Sequence, residues 1–253
     1  MTILSVRGVS KRFGGLQAIN DLSFDVPKGS IKALIGPNGA GKTTLFNLIS
    51  GFLSPDRGEI HYEGAPVQNL PSHDVASRGM VRTFQHIRLF PKMTVLENVM
   101  VGRHLHSRAG FLSGMLNLPF TWREERRIRE RSREILELLG IGGHADTEAA
   151  SLAYGQQRVV EIARALACEP RLLLLDEPAA GLNMRETNEM GALIGKVRDM
   201  GITVLLVEHD MSLVMGISDE IVVLSFGQKI AEDRPLGIQK NREVIRVYLG
   251  EDA

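Results

Sequence analysis

The chain has 253 residues, 43% hydrophobic and 24% charged, enough to bury one large core or a core with a lobe inserted in it. Its 30 basic residues equal its 30 acidic ones, a formal net charge of zero that argues against a nucleic-acid partner, though not against a local basic patch. The one cysteine, Cys168, excludes a disulfide framework or zinc cluster and suits a reducing, cytoplasmic setting.

In Met1 to Gly8 no charged segment precedes an apolar run, so no signal peptide is expected. Leu4, Val6 and Val9, then Lys11-Arg12-Phe13-Gly14-Gly15, then Ala18-Ile19, Leu22 and Phe24 read as strands joined by turns. Ile31–Ile35 predicts a short buried strand, followed by a glycine-rich turn and a helix from about Lys42 through Ser50. Ser54–Gly58 is a turn and Glu59–Tyr62 a further strand.

The texture changes after Ile87. Glu124 to Leu139 puts Ile128, Ile135 and Leu139 on one helical face, with Glu125/Arg129 and Arg126/Glu130 spaced for ion pairs. This predicts a helical lobe, over about 87–158, with a solvated outer face. Residues 102–122 form an extra connection carrying Phe111, Leu112, Met115, Leu116, Leu118, Phe120 and Trp122. Such a cluster either packs on its own domain or is offered to a partner. His104 and His106 lack the companions a metal site needs.

Strands and helices then alternate. Leu172–Leu175 and Val204–Val207 are apolar, each after a helical pattern, and imply a parallel sheet covered by helices on its faces, an α/β fold. Ile221–Leu224 and Lys229–Ala231 suggest more strands, and Asn241–Leu249 a short terminal helix. Cys168 ends an apolar helix and reads as core. Gly191 or Gly195, in a helical stretch, costs about 1 kcal/mol against alanine. The apolar runs fall short of the roughly 20 residues a membrane-spanning helix needs.

The strongest chemical signal is Gly36-Pro37-Asn38-Gly39-Ala40-Gly41-Lys42-Thr43-Thr44, placed between a buried strand and a helix. Glycines let consecutive backbone N–H groups turn inward, and the positive end of the helix adds to the anion site they form. Lys42 is expected to reach the β- and γ-phosphates of a nucleoside triphosphate, and the Thr43 hydroxyl to ligate magnesium. Leu172-Leu173-Leu174-Leu175-Asp176-Glu177-Pro178 sets two acids at the carboxyl end of a strand, where open α/β sheets bind ligands. Asp176 is expected to hold the metal, directly or through water, and Glu177 to orient and deprotonate an attacking water. Alternation of side chains along the strand would separate the two roles.

In this order the motifs resemble those of the ATP-binding cassette family, and the resemblance spans essentially the whole chain. It implies a P-loop NTPase (RecA-like) core at about 1–86 and 159–235, an N-terminal antiparallel β portion, the inserted α-helical lobe and a tail from about 236 to 253. Phe13 sits where the family stacks an aromatic ring on adenine. Gln85, in Arg82-Thr83-Phe84-Gln85, resembles the glutamine that touches the metal and senses the membrane partner. Leu152-Ala153-Tyr154-Gly155-Gln156 occupies the place of the signature that meets the partner subunit's nucleotide. Ala180-Gly181-Leu182-Asn183 resembles the loop crossing to the other subunit, and His209 the histidine that contacts the γ-phosphate.

Ala153 replaces the signature's serine, Tyr154 its first glycine, and Asn183 the crossing loop's aspartate. Alanine has no hydroxyl for the γ-phosphate, which leaves backbone N–H groups near Gly155 and Gln156. Arg82–Gln85, Leu89–Val99, Leu152–Arg158 and Val244–Gly250 are similar to the Liv-type importers of branched-chain amino acids. The resemblance implies ATP and Mg2+, a second, LivF-like ATPase subunit, two membrane permeases and, indirectly, a substrate-binding protein. The working pair is a homodimer or a heterodimer, held at the inner face of the membrane. Urea, amide and lipid-export systems, and less readily a nucleic-acid ATPase, share the same core motifs.

Overall fold

The computed structural model describes residues 1–103 and 119–249, apart from the side chains of 119–122 and 249. The chain divides into two compact units, 1–82 with 171–253, and 83–170.

The first unit holds two sheets. Strands β1 (Thr2–Phe13) and β2 (Leu16–Pro27) pair antiparallel around Gly14-Gly15. Strands β4 (Arg57–Tyr62) and β5 (Ala65–Pro66) complete the order β2-β1-β4-β5. Strand β4 begins two residues before the expected Glu59, because Arg57 already pairs with Ser10. The second sheet contains β3 (Ile31–Ile35), β6 (Met80–Arg82), β7 (Leu172–Asp176), β8 (Thr203–Val207), β9 (Glu220–Ser225) and β10 (Gln228–Asp233), in the order β10-β9-β3-β8-β7-β6. It is parallel except for the β9–β10 hairpin.

Every residue of β3, β7 and β8 is buried, as strands covered on both faces must be. Lys32, within β3, is 1% exposed. Its ammonium meets Glu220 at 2.9 Å, Glu232, and the Asp25 carbonyl at 2.5 Å, so the buried charge is paired. Around the sheets lie α1 (Lys42–Ile49) and α2 (Ser72–Ser77).

The 83–170 unit is built from α3 (Val95–Arg103), α4 (Pro119–Leu138) and α5 (Tyr154–Ala167). Helix α4 buries Ile135 and Leu136, with Ile128 half-buried and Leu139 buried just past its end, and the outer Arg126–Glu130 and Arg129–Glu125 pairs close at 2.8 and 3.8 Å. Gly102 belongs to α3 rather than to an added connection. A Cβ there would lie 2.2 Å from the Arg164 carbonyl oxygen, so glycine lets α3 and α5 pack closely. Residues 104–118, with His104, His106 and most of the aromatic connection, lie outside the described residues. Cys168 caps α5, buried, its Sγ 3.3 Å from the Gly102 carbonyl.

The C-terminal half of the first unit adds α6 (Met184–Asp199), α7 (Met211–Ile217), α8 (Pro235–Lys240) and α9 (Arg242–Leu249). Gly191 lets α6 meet α7, since a Cβ would lie 2.8 Å from Leu213 Cδ1, whereas Gly195 faces open space. Among the described residues no helix is long and apolar enough to cross a membrane.

Candidate functional site

Three chain reversals bring chemistry to the carboxyl end of the six-stranded sheet. The loop after β3 runs through Gly36–Gly41 into α1, Asp176 ends β7, and Glu208-His209 follows β8, the strand between them. A parallel sheet with consecutive strand ends converging is the standard ligand position in such folds.

The loop depends on two glycines that nothing else could replace. Gly36 has φ +153°, and a Cβ would sit 2.2 Å from the carbonyl oxygen of Leu224 on β9. Gly41, with φ +102°, would strike the Ala18 carbonyl at 2.6 Å. Gly41 also begins α1 without any side-chain cap, which leaves the first-turn N–H groups aimed into the loop. Pro37, Asn38 and Gly39 form the crest, and the Ala40 N–H closes it by donating to the Pro37 carbonyl at 3.1 Å. Thr43 is exposed and Thr44 half-buried in the first helical turn.

Lys42 is buried at the centre, donating to the carbonyls of Gly36 at 2.5 Å and Pro37 at 3.0 Å. Burial pulls its pKa below the ordinary lysine value, while the carboxylates of Glu177 and Asp176 act to raise it. The lysine and both acids therefore share one electrostatic environment. Tyr248 of α9 also reaches the loop. Burial raises its phenol, and a hydrogen bond with the Gly36 backbone counters this.

The acid pair differs from its expected geometry in one respect. Asp176 is the last strand residue, but Glu177 leaves the strand with φ +49°, in the left-handed region. The backbone thus breaks from the strand between the two acids, so strand alternation does not set their relative placement. A non-glycine residue there stores strain of the kind found at functional sites, about 1–3 kcal/mol. Glu177 is pinned by its N–H to the Val207 carbonyl at 2.9 Å.

His209 is 65% exposed, its Nδ1 3.8 Å from a Glu177 carboxylate oxygen and 4.0 Å from one of Glu208. Glu208, only 1% exposed, accepts from the N–H groups of Ala179 (2.8 Å), His209 (3.0 Å) and Asp210 (3.3 Å). One carboxylate thus organises both the turn after the acid pair and the turn that presents the histidine. Asn183 serves as N-cap of α6. It accepts from Glu186 N–H at 3.0 Å while Glu186 accepts from Asn183 N–H at 3.0 Å, a complete capping box. Phe13 ends β1 as a 46% exposed ring with the Lys11 ammonium 5.8 Å from its centroid.

The remaining expected residues lie in the 83–170 unit. Gln85 is exposed, and its carbonyl accepts from Arg158 Nη2 at 2.6 Å. Ala153 is the uncapped N-terminus of α5, exposed, with Gly155 and Gln156 in the first turn. Gln156 Oε1 accepts the Ala153 N–H at 3.1 Å, the N3 residue's half of a capping box, while the half a serine side chain would make, accepting the N–H of N3, has no counterpart in alanine. Tyr154 holds Arg158, its hydroxyl accepting from Nη2 at 2.9 Å and its ring lying 5.4 Å from the guanidinium.

No group of three or more His, Cys, Asp or Glu side chains converges as a metal cage among the described residues. The donors beside the loop are hard oxygens, the Asp176 carboxylate and the Thr43 hydroxyl. Such a sparse set fits a magnesium ion that arrives with phosphates and keeps its waters.

Residues 19–180 match the ABC transporter family model, and residues 228–253 match that of the branched-chain amino acid ATP-binding cassette transporter. The chain is 48% identical over 250 residues to the high-affinity branched-chain amino acid transport ATP-binding protein BraF of Pseudomonas aeruginosa, covering 98% of each. It is 47% identical, with the same coverage, to the protein of the same description, LivG, of Escherichia coli. Among solved structures it is similar to a nucleotide-free ATP-binding cassette from an ABC transporter, at 33% identity and TM-score 0.87 over 99% of this chain and 100% of the other. The ADP conformation of an ATP-binding cassette of an ABC transporter matches at 34% identity and the same TM-score and coverage.

Proposed function

The chain belongs to the ATP-binding cassette transporter family, and from that premise we propose that it hydrolyses Mg-ATP to power import of branched-chain amino acids through membrane permeases. The observation that carries the reading is the convergence of Lys42, Asp176 and Glu177 around a loop in which Gly36 and Gly41 leave no room for a side chain.

The roles follow from position. Loop N–H groups and Lys42 bind the β- and γ-phosphates, and Phe13 offers its exposed ring to adenine. Thr43 and Asp176 would hold the magnesium ion, which would neutralise phosphate charge when bound. Glu177 takes the proton of the attacking water, and His209 donates toward the γ-phosphate. The N-terminus of α5, at Ala153, Gly155 and Gln156, presents backbone N–H groups to the nucleotide of a second, LivF-like ATPase subunit. Without a serine hydroxyl that contact lacks a hydrogen bond to a charged group, worth about 1.5–3 kcal/mol, so the site this signature completes is weaker than one completed by a serine. The surface around Gln85 faces the two permeases, with a substrate-binding protein beyond them, and the chain works at the inner face of the membrane as a single nucleotide-binding domain.

Reconstitution tests this. Co-expression with the candidate permeases and second ATPase subunit, in proteoliposomes with the binding protein, should give ATP-dependent leucine uptake. ATP-dependent uptake of urea or an amide without leucine would reassign the substrate, and co-purification with lipid-export subunits would reassign the system.

A further inference from the structure

Arg82 ends β6, three residues before Gln85, and the resemblance that its segment carries assigns the arginine itself no function. Its side chain is only 7% exposed. Nη2 donates to Asp176 Oδ2 at 2.7 Å, and the Asp176 side chain is likewise 7% exposed. Nη1 donates to Asn47 Oδ1 at 2.7 Å and to Ser50 Oγ at 3.0 Å, both at the end of α1. The guanidinium carbon lies 5.5 Å from the Phe46 ring centroid and 5.8 Å from that of Phe52. Ser50 is itself fixed, donating to the Phe46 carbonyl at 2.6 Å. One buried fork therefore joins the helix that carries the phosphate loop to the strand that carries Asp176.

A buried carboxylate needs a partner for its charge, and a planar guanidinium with fixed donors dictates its orientation as well. Lysine, a point charge on a flexible stem, would supply the charge without spanning Asn47, Ser50 and Asp176 together. Hydrogen bonds to a metal-binding carboxylate set how well it binds, and their loss typically lowers metal affinity by about 10- to 100-fold.

We infer that Arg82 is a positioning residue for metal capture, orienting the Asp176 carboxylate relative to α1 so that the cation is held in register with the loop. This rests on the Mg-ATP reading above. It assigns Arg82 to the metal step and not to binding of the nucleotide itself.

The test uses the full chain and Mn2+ as probe. Free Mn2+ is counted by electron paramagnetic resonance in the presence of a non-hydrolysable ATP analogue, and analogue affinity is measured separately in chelator. Both Arg82→Gln and Arg82→Lys should raise the half-saturating Mn2+ concentration about tenfold or more, with metal-free analogue affinity within about twofold of the original. Arg82→Lys keeps the charge and serves if Arg82→Gln does not fold. Lowered melting temperature with unchanged Mn2+ affinity would make Arg82 a structural staple only, and overturn the inference. Tighter Mn2+ binding would make it a competitor for Asp176, and overturn it equally. If the unsubstituted chain showed no Mn2+-dependent analogue binding, the Mg-ATP reading would fail and this inference with it.

Discussion

Gly36→Ala isolates the geometry on which the phosphate loop depends. The added Cβ would stand 2.2 Å from the Leu224 carbonyl oxygen and 3.0 Å from the Ala40 Cβ. Ordinary contact begins at 3.4 Å, so more than about 1 Å must open between the loop and β9. Leu224 cannot give way, because β9 is held by β3 on one side and β10 on the other. The loop must therefore lift, and a 1 Å shift is enough to break hydrogen bonds that tolerate only about 2.7–3.2 Å between heavy atoms. Losing one charge-assisted bond of about 1.5–3 kcal/mol lowers ATP affinity roughly 10- to 100-fold. Overpacking of about 1–3 kcal/mol lowers the melting temperature by roughly 2–12 °C in a chain of this size. Gly39→Ala is the control. It has φ +82°, but its Cβ meets nothing within 4 Å, so it bears backbone strain without a collision. Isothermal titration with ATP and a thermal melt on each variant decide the matter. Equal losses in the two would refute the argument from close approach and leave only positive φ as the cause.

Glu177→Gln should leave nucleotide binding intact and slow hydrolysis about a thousandfold, or about 4 kcal/mol of barrier, measured as phosphate release by the full assembly. An unchanged rate would remove Glu177 from the role of base. Asn183→Ala removes the acceptor that caps α6 and should cost about 1 kcal/mol, a fall of roughly 2–4 °C in a thermal melt, with Asn183→Asp restoring it. Burial pushes the Cys168 thiol up to about 11. Roughly a thousandth of it is thiolate at pH 8, so the native chain should resist an aromatic disulfide reagent that labels the denatured chain at once. Rapid native labelling would show that α5 does not shield it.

The parts of the site that backbone chemistry dictates were legible in the sequence. Gly36 to Thr44 must carry glycines, a lysine and a hydroxyl at fixed spacing, and the acids had to follow an apolar run at a strand end. Contacts between distant residues were not legible. Glu208 acts by accepting from Ala179, 29 positions earlier, and nothing near it in sequence announces this. Arg82 acquires meaning only when Asn47, Ser50 and Asp176 meet around it. Strand β6 is three residues long, too short for periodicity to register, yet it delivers that arginine. The left-handed turn at Glu177 escaped, though the residue itself did not, because a positive φ on a glutamate leaves no compositional trace. Tyr154 and Asn183, which appear in the sequence as losses from a shared pattern, gain local work in the fold as the partner of Arg158 and the cap of α6.

The most direct measurement is equilibrium binding of ATP to the purified chain, with magnesium and with chelator, beside Lys42→Ala. The account predicts saturable ATP binding that magnesium strengthens and that the lysine substitution weakens at least about tenfold, since Lys42 is the cation at the centre of the loop. ATP affinity indifferent to both the metal and Lys42 would contradict it.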